Sequence, residues 1–157
     1  MKHTILIITY LFIYTTYSQC ITGNCSNGYG VKKYEDGTMY IGDWWNETPS
    51  GHGTVVWSDG SIYVGKFNKG MYSGEGTLIT NSSIYIGEFY KDLPNGSGTV
   101  LMPPGMYVGE FQDGTIEGKG YFIDKNGQIE EAYWKKNQPI GDTLLTRDNY
   151  ILRGYEK

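Results

Sequence analysis

The sequence repeats a five-residue pattern, Tyr-x-Gly-x-aromatic, at almost constant intervals. The pattern begins at four tyrosines that are spaced by 23, 22 and 22 residues: Tyr40, Tyr63, Tyr85 and Tyr107. A second pattern, Gly-x-Gly, begins 11 residues after each of these tyrosines. Two markers that recur with one shared period indicate a chain built from copies of a single supersecondary unit. This repeat constrains the fold more than any individual residue does.

Each unit is predicted to contain two β-strands that are joined by a tight turn. Side chains alternate along a strand, so Tyr63, Gly65 and Phe67 are expected on one face, and Val64 and Lys66 on the other. Asp-Gly and Asn-Gly pairs favour the positive φ angles that tight hairpins need. Such pairs stand at 36–37, 59–60 and 126–127. The sequence therefore predicts an all-β protein made of hairpins.

Glycine accounts for 23 of the 157 residues and tyrosine for 15. A helical domain is disfavoured, because Gly costs about 1 kcal/mol relative to Ala inside a helix. Gly also weakens a strand, so its recurrence there needs a reason. We expect a Tyr or Trp ring of a neighbouring strand to lie over each strand glycine, which has no side chain to block it. The predicted core is a ladder of such rings: Tyr40, Trp44, Tyr63, Phe67, Tyr85, Phe89, Tyr107 and Phe111.

The first 18 residues have the three parts of a secretory signal peptide. These are a positive start at Lys2, an apolar run over 5–14 and small residues before Gln19. The apolar run is too short to span a membrane, which takes about 20 residues. We expect cleavage after Ser18 and export to the periplasm, the cell surface or the medium. A buried N-terminal strand or helix is the alternative.

Cys20 and Cys25 are the only cysteines. In an oxidising compartment a pair with this spacing can close a small loop, and residues 19–30 are predicted to form an N-terminal cap that contains it. Lipidation of Cys20 is the alternative, although Gln19 does not match the small residue expected before a lipidated cysteine. No redox or metal site is predicted here, because such a site would need a two-residue spacing or more ligands.

Taken together, the motifs resemble the MORN repeat. Tyr-x-Gly-x-Trp/Phe is followed by Gly-x-Gly-Thr and by Asp-Gly, and the threonine stands at 54, 77 and 99. The resemblance covers residues 27–141 and ends in a degenerate unit, where Glu130 and Ala132 replace the Tyr and the Gly. It implies an elongated, twisted antiparallel meander of β-hairpins. Residues 142–157 are expected to form a C-terminal cap, either a strand pair that turns at 147–149 or a short helix.

Proteins with this repeat are mostly non-catalytic, and they act as scaffolds, protein-binding surfaces or dimerisation arms. The resemblance therefore implies an exported, non-enzymatic scaffold or protein-binding module that takes no cofactor and no metal. Trp45 and Trp57 are the candidate residues of a binding groove, because Trp is enriched at binding hot spots. The expected partner is another protein, and exposed end strands make self-association a further expectation. No nucleic-acid partner is expected.

Two alternatives stay open. Binding to a membrane or to phospholipids needs clustered Lys and Arg, whereas the basic residues here are scattered and the formal net charge is −4. A carboxylate-dependent hydrolase is the other alternative, since Glu88 and Glu110 recur at one repeat position, although a solvated charged face explains the same pattern. A histidine-based site would rest on His52 alone, because His3 lies in the segment predicted to be removed. No catalytic residue is therefore assigned.

Four Asn-x-Ser/Thr sequons begin at Asn24, Asn46, Asn81 and Asn95. They matter only in a host that glycosylates exported proteins. Of the four, Asn81 and Asn95 are expected in loops.

Overall fold

The computed structural model describes residues 18–140, together with the backbone of residues 144–145 and 152–153. Twelve antiparallel strands form one sheet, and each strand pairs with its neighbours in sequence from the first strand to the last. No helix occurs among the described residues. The predicted all-β meander of hairpins is therefore confirmed. Residues 1–17, which contain nearly all of the predicted signal peptide, lie outside the described part.

The sheet contains long central strands and shorter strands at its two ends. Its strands are β1 (Gln19–Gly23), β2 (Gly28–Lys33), β3 (Met39–Trp45), β4 (Thr48–Val56), β5 (Ile62–Asn68), β6 (Met71–Ile79), β7 (Ile84–Tyr90), β8 (Leu93–Met102), β9 (Gly105–Gln112), β10 (Thr115–Asp124), β11 (Ile129–Lys135) and β12 (Gln138–Ile140). A separate antiparallel pair is formed by β13 (Leu144–Leu145) and β14 (Leu152–Arg153). This pair falls in the predicted C-terminal cap, and the turn expected at 147–149 lies outside the described residues.

At one end of the hairpins the chain turns as the sequence predicts. Gly60 has a φ of 86°, in the left-handed region that Gly adopts without strain. The carboxylate of Asp59 accepts a hydrogen bond from the amide of Ser61 at 2.8 Å, which is a typical Asx-turn contact. The pairs at 36–37 and 126–127 also place a glycine at positive φ.

At the opposite end of the hairpins the chain turns through two residues that both have positive φ. Positive φ at both central positions is characteristic of the type I′ turn, whose twist matches that of the flanking strands. The turn pairs are Asn46–Glu47, Lys69–Gly70, Lys91–Asp92, Asp113–Gly114 and Lys136–Asn137. These turns are not evident from the sequence, because several of their positions carry Lys or Glu instead of Gly.

The face of the sheet that carries the repeated tyrosines, here called the inner face, holds the core. Tyr63 is 0% exposed. A Cβ atom added at Gly65 or Gly76 would lie 2.5 Å or 2.6 Å from the Tyr63 hydroxyl oxygen. Gly65 follows Tyr63 on β5, and Gly76 is its partner on β6. One ring thus covers the glycine of its own strand as well as the paired glycine of the next strand, whereas the sequence predicted only a ring from a neighbouring strand.

A β-bulge follows each ring-covered glycine pair. In the second unit the register shifts between Gly65 and Phe67. Within this bulge the backbone carbonyl of Lys66 accepts a hydrogen bond from the Tyr63 hydroxyl at 3.0 Å. Equivalent bonds join Tyr40 to Asp43 (2.9 Å), Tyr85 to Glu88 (2.9 Å) and Tyr107 to Glu110 (3.3 Å). The sequence indicated the ring and the glycine, but not the bulge or this bond.

The buried rings contact one another edge to face along the sheet. The ring centroids of Tyr63 and Phe67 are 5.3 Å apart, and those of Tyr63 and Phe89 in the next unit are 5.1 Å apart. Such pairs contribute about 0.5–1.5 kcal/mol beyond the area they bury. The buried cluster contains all eight rings named from the sequence, with Val55 and Ile116. These contacts link each unit to the next.

The last hairpin keeps the register of the repeat without its tyrosine. Ala132 pairs with Gly120, at the position that a glycine takes in the other units, and is 4% exposed. Glu130 stands at the tyrosine position of this unit, so the unit has no tyrosine ring to cover Ala132. The methyl group of Ala132 therefore has room where the other units need a glycine. Trp134 takes the second aromatic position, and its ring centroid lies 5.2 Å from that of Tyr107.

Candidate functional site: the outer face of the sheet

Side chains between the core residues point to the opposite side of the sheet, here called the outer face. Val64 is 48% exposed and Ile86 is 55% exposed, whereas the adjacent Tyr63 and Tyr85 are buried. The twelve strands form a single layer, so the outer face is open to solvent. Single exposed apolar residues are ordinary, but continuous apolar patches mark interaction sites. Whether the outer face can act as an interaction site therefore depends on whether its apolar residues form a continuous patch.

Large aliphatic residues form one continuous row across the outer face, here called the aliphatic row. Each member pairs directly with the next on the neighbouring strand. The row consists of Met39, Val56, Ile62, Ile79, Ile84, Leu101, Met106, Ile123 and Ile129. Leu101 is 51% exposed, and Ile79 and Ile129 are 37% and 40% exposed. The row therefore presents apolar surface along most of the sheet.

A second row, two residues further along each strand, alternates aliphatic residues with threonine, and is here called the branched row. It consists of Ile41, Thr54, Val64, Thr77, Ile86, Thr99 and Val108. Side chains two residues apart on a strand are separated by about 7 Å. The aliphatic and branched rows thus lie side by side and form one stripe.

A third row, two residues beyond the branched row, carries most of the charge of this face and is here called the charged row. Glu75 on β6 pairs directly with Glu88 on β7, and Ser97 on β8 pairs with Glu110 on β9. Like charges directly opposite each other destabilise a sheet. Lys66 of β5 belongs to the same row. The central part of the charged row is therefore predominantly acidic.

Some of these carboxylates also support the bulges. The Glu88 carboxylate accepts a hydrogen bond from the backbone amide of Ser97 at 3.1 Å, and the Asp43 carboxylate accepts one from His52 at 3.0 Å. The recurrence of acids at this position thus has a structural cause. Glu88 and Glu110, considered above as a hydrolase pair, stand on separate hairpins in this row. Their placement matches the charged face that the sequence offered as the other explanation.

On β10 and β11 the outer face carries an ion pair. Lys119 and Glu131 form an ion pair, and the Tyr121 hydroxyl donates a hydrogen bond to Glu131 at 3.1 Å. The hydrogen bond with Glu131 raises the pKa of Lys119, and the bond with Lys119 lowers the pKa of Glu131. Lys119 and Glu131 therefore neutralise each other, whereas Glu117 on β10 pairs directly with Glu110 on β9 and extends the acidic part of the row.

A groove of about 620 Å³ lies where the aliphatic row meets the hairpin turns. Ile79, Ile84, Leu101 and Met106 form its apolar floor, and the turn around Pro103–Pro104 forms part of its wall. A second groove, of about 470 Å³, lies at the charged row and includes Glu88, Glu110 and Glu117. The outer face thus has an apolar depression and an acidic one, and two further grooves contain a lysine beside a glutamate.

The two tryptophans proposed from the sequence as groove residues lie in different environments. Trp45 is 66% exposed at the end of β3. Trp57 packs partly buried against the core cluster and meets Tyr72 edge to face, with ring centroids 6.3 Å apart. The structure does not bring Trp45 and Trp57 together. The continuous outer rows were missed, because the alternation of Ile, Val and Thr between the core residues indicates which residues face outward but not how they align from strand to strand.

The two cysteines and three of the sequon asparagines lie outside these rows. Cys20 and Cys25 form a disulfide. Asn81 lies in an exposed turn, as expected, but Asn95 lies within β8 and not in a loop, because β8 extends to the type I′ turn that precedes it. The side chain of Asn24 accepts hydrogen bonds from the amides of Ser26 and Asn27.

Within residues 18–140 no group of three or more His, Cys, Asp or Glu side chains is placed to hold a metal ion. In the described part of the chain there is also no helix long and apolar enough to cross a membrane.

The single open sheet, its aromatic-glycine core and its neighbour-to-neighbour pairing define an antiparallel β-hairpin repeat protein. The model of the MORN repeat matches five segments, residues 26–39, 40–62, 63–82, 85–106 and 107–129. The chain therefore belongs to the MORN repeat family. No curated protein matches it. The degenerate unit that carries Glu130 follows the last matched segment.

Proposed function

We propose that this protein is an exported, non-catalytic module that binds another protein through the outer face of its sheet. The observation that carries the proposal is the stripe formed by the aliphatic and branched rows, which lies open to solvent across the sheet. A solvent-exposed apolar stripe with a charged border has the composition of a protein interface, where an apolar centre is surrounded by polar groups.

The family and the charged row both support a non-catalytic role. MORN repeats are generally non-catalytic, and they often bind proteins or membranes. The carboxylates of Asp43 and Glu88 accept backbone amides of the bulges, so their recurrence follows from the repeat without any chemistry. A protein partner is favoured over an anionic membrane, because the acidic charged row would repel phosphate headgroups.

The proposal of export is supported by the disulfide between Cys20 and Cys25. Disulfides persist in oxidising compartments and are rare in the cytosol. The disulfide connects the first strand of the sheet to the loop before β2, within the predicted N-terminal cap. An oxidising compartment would therefore stabilise this cap, and we propose export and the cap together. N-terminal sequencing of the protein recovered from the medium or envelope would test both cleavage and location.

Affinity capture from the extracellular or envelope fraction tests the binding function, with two matched variants. Ile86→Asp places a charge in the centre of the outer stripe, and Ile21→Asp makes the same change on β1 at a residue that is 54% exposed, against 55% for Ile86. We expect the unmodified protein and Ile21→Asp to retain one partner protein and Ile86→Asp to lose it. Retention of that partner by both variants, or turnover of a substrate without any partner, would contradict the proposal.

A further inference from the structure

We propose that the outer face of β5–β10 binds a protein segment with apolar side chains along one side and Lys or Arg side chains along the adjacent side. This inference rests on the proposed function and adds the chemistry of the partner. It comes from the order of the three rows, which places an apolar stripe directly beside an acidic one. A partner that contacts both stripes must carry apolar side chains opposite the apolar stripe and cationic side chains opposite the acidic one.

The rows are close enough for a single segment to contact all three. Two residues along a strand span about 7 Å, so the aliphatic and charged rows are about 14 Å apart, with the branched row between them. Successive strands are about 4.8 Å apart, so the six strands β5–β10 offer a track about 24 Å long. An extended or helical segment lying across the strands fits this track without a deep pocket.

The apolar side of the partner would cover Ile86 and Leu101, which are 55% and 51% exposed. Leu101 lines the apolar groove of about 620 Å³. Ile86 lies in the branched row, beside the aliphatic row that forms the floor of this groove. Burying exposed aliphatic side chains contributes about 25 cal/mol for each Å² removed from water. The groove gives one partner side chain a place to anchor near the turn around Pro103–Pro104.

The charged side of the partner is indicated by the acids of the charged row, which outnumber its cations. Glu75 and Glu88 face each other across β6 and β7, and Glu110 follows on β9. None of these three acids forms an ion pair with another described residue, and Lys119 at the end of the row pairs with Glu131. Lys or Arg side chains from a partner would relieve the repulsion between Glu75 and Glu88.

The same charges argue against a second copy of the chain and against a membrane as the occupant. A second copy brings an equally acidic row to the interface, and like charges placed together oppose association. An anionic bilayer is repelled for the same reason. A segment with Lys or Arg beside its apolar residues is the occupant that complements the face.

Calorimetric titration of the full-length mature protein with synthetic peptides tests the inference. The probe is an amphipathic peptide of Leu and Lys, and its matched control has Glu in place of every Lys. We expect binding of the Leu/Lys peptide at low salt and a loss of affinity of about tenfold or more when Glu75→Gln and Glu110→Gln are combined. The paired change Glu35→Gln and Glu47→Gln, which removes the same charge outside the face, should leave affinity unchanged.

A second pair of substitutions tests the apolar stripe. Ile86→Thr with Leu101→Thr should weaken peptide binding several-fold even at high salt, because apolar contacts are not screened. Threonine already occupies this face at Thr77 and Thr99, so the fold should tolerate the change. Chemical-shift changes in labelled protein should map to β5–β10 and spare β1 and β2.

Several results would overturn the inference. Equal affinity for the Leu/Lys and Leu/Glu peptides is one, and an equal loss of peptide affinity in the Glu35→Gln, Glu47→Gln control is another. Self-association of the protein through its outer face would also overturn it, as would binding of the protein to anionic lipid vesicles that the peptide does not prevent. The proposed function fails separately. If capture finds a partner that depends on Ile86 while both peptides bind alike, the binding module stands and the chemistry assigned to its partner falls.

Discussion

The hydroxyl of Tyr63 donates a hydrogen bond to the backbone carbonyl of Lys66, three residues later on the same strand, at 3.0 Å. To reach it, the ring lies flat across Gly65 and its cross-strand partner Gly76. The same bond recurs in the other three complete units. Ring, glycine pair and bulge are therefore one structural device, and each of the four complete units contains it once.

Removal of the hydroxyl should destabilise the protein without changing its core packing. Tyr63→Phe keeps the ring and deletes the bond to Lys66, and we expect a loss of about 1–2 kcal/mol in the free energy of unfolding. Tyr90→Phe is the matched control, since Tyr90 is 56% exposed on the outer face. Denaturant unfolding measures both. An equal effect of the two substitutions would show that the bond does not stabilise the unit.

A methyl group at a ring-covered glycine should clash with the tyrosine. The Cβ of Gly76→Ala would lie 2.6 Å from the Tyr63 hydroxyl oxygen, so we expect a loss of about 2–3 kcal/mol. Combined with Tyr63→Leu, the alanine should add much less, because its obstacle is gone. A double-mutant cycle measures this coupling. Additive effects of the two changes would contradict the close approach.

Stability should fall at alkaline pH. Burial, with a further contribution from the negative charge of Asp92, raises the pKa of Tyr63 to about 12, and burial also raises the pKa of Tyr85 and of Tyr107 to about 12. Tyrosine in the unfolded chain ionises near pH 10. Above pH 10 the unfolded chain therefore holds fewer protons than the folded chain. The free energy of unfolding keeps the full contribution of these tyrosines below that pH and declines between about pH 10 and 12. An unfolding midpoint that stays constant up to about pH 12 would contradict this.

A glycine should improve the type I′ turn at Asn46–Glu47. Glu47 has a φ of 60°, which is unfavourable for a residue with a side chain. Glu47→Gly creates the Asn-Gly pair that such turns favour, and we expect a gain of about 0.5–1 kcal/mol. The reverse change in the next hairpin, Gly70→Ala, should destabilise, since Gly70 has a φ of 81°. Thermal unfolding compares the two, and a loss from Glu47→Gly would refute the turn assignment.

The strands, the Asp-Gly turns and the ring-over-glycine core could be predicted because each leaves a periodic mark on the sequence. The type I′ turns could not, because Lys91 and Glu47 adopt positive φ under the geometry of the flanking strands and not by their own preference. The bulges leave no mark either, since the Tyr63 hydroxyl bonds to a backbone carbonyl that every residue has.

The candidate site was harder to predict than the core. Trp45 and Trp57 were singled out by residue type, yet one is exposed and the other packs against the core. The rows of the outer face arise only when strands are paired in register, as when Ile86 is placed between Thr77 and Thr99. That register depends on the bulges and on the type I′ turns, which the sequence did not reveal.

The division between a structural inner face and a free outer face is tested most directly by two adjacent residues on β7. The unfolding free energies of Tyr85→Thr and Ile86→Thr compare the same replacement on the two faces. We predict that Tyr85→Thr loses about 3–5 kcal/mol or prevents folding, while Ile86→Thr stays within about 0.5 kcal/mol of the unmodified protein. A similar loss from both substitutions would show that the outer stripe is part of the core, and would contradict the account.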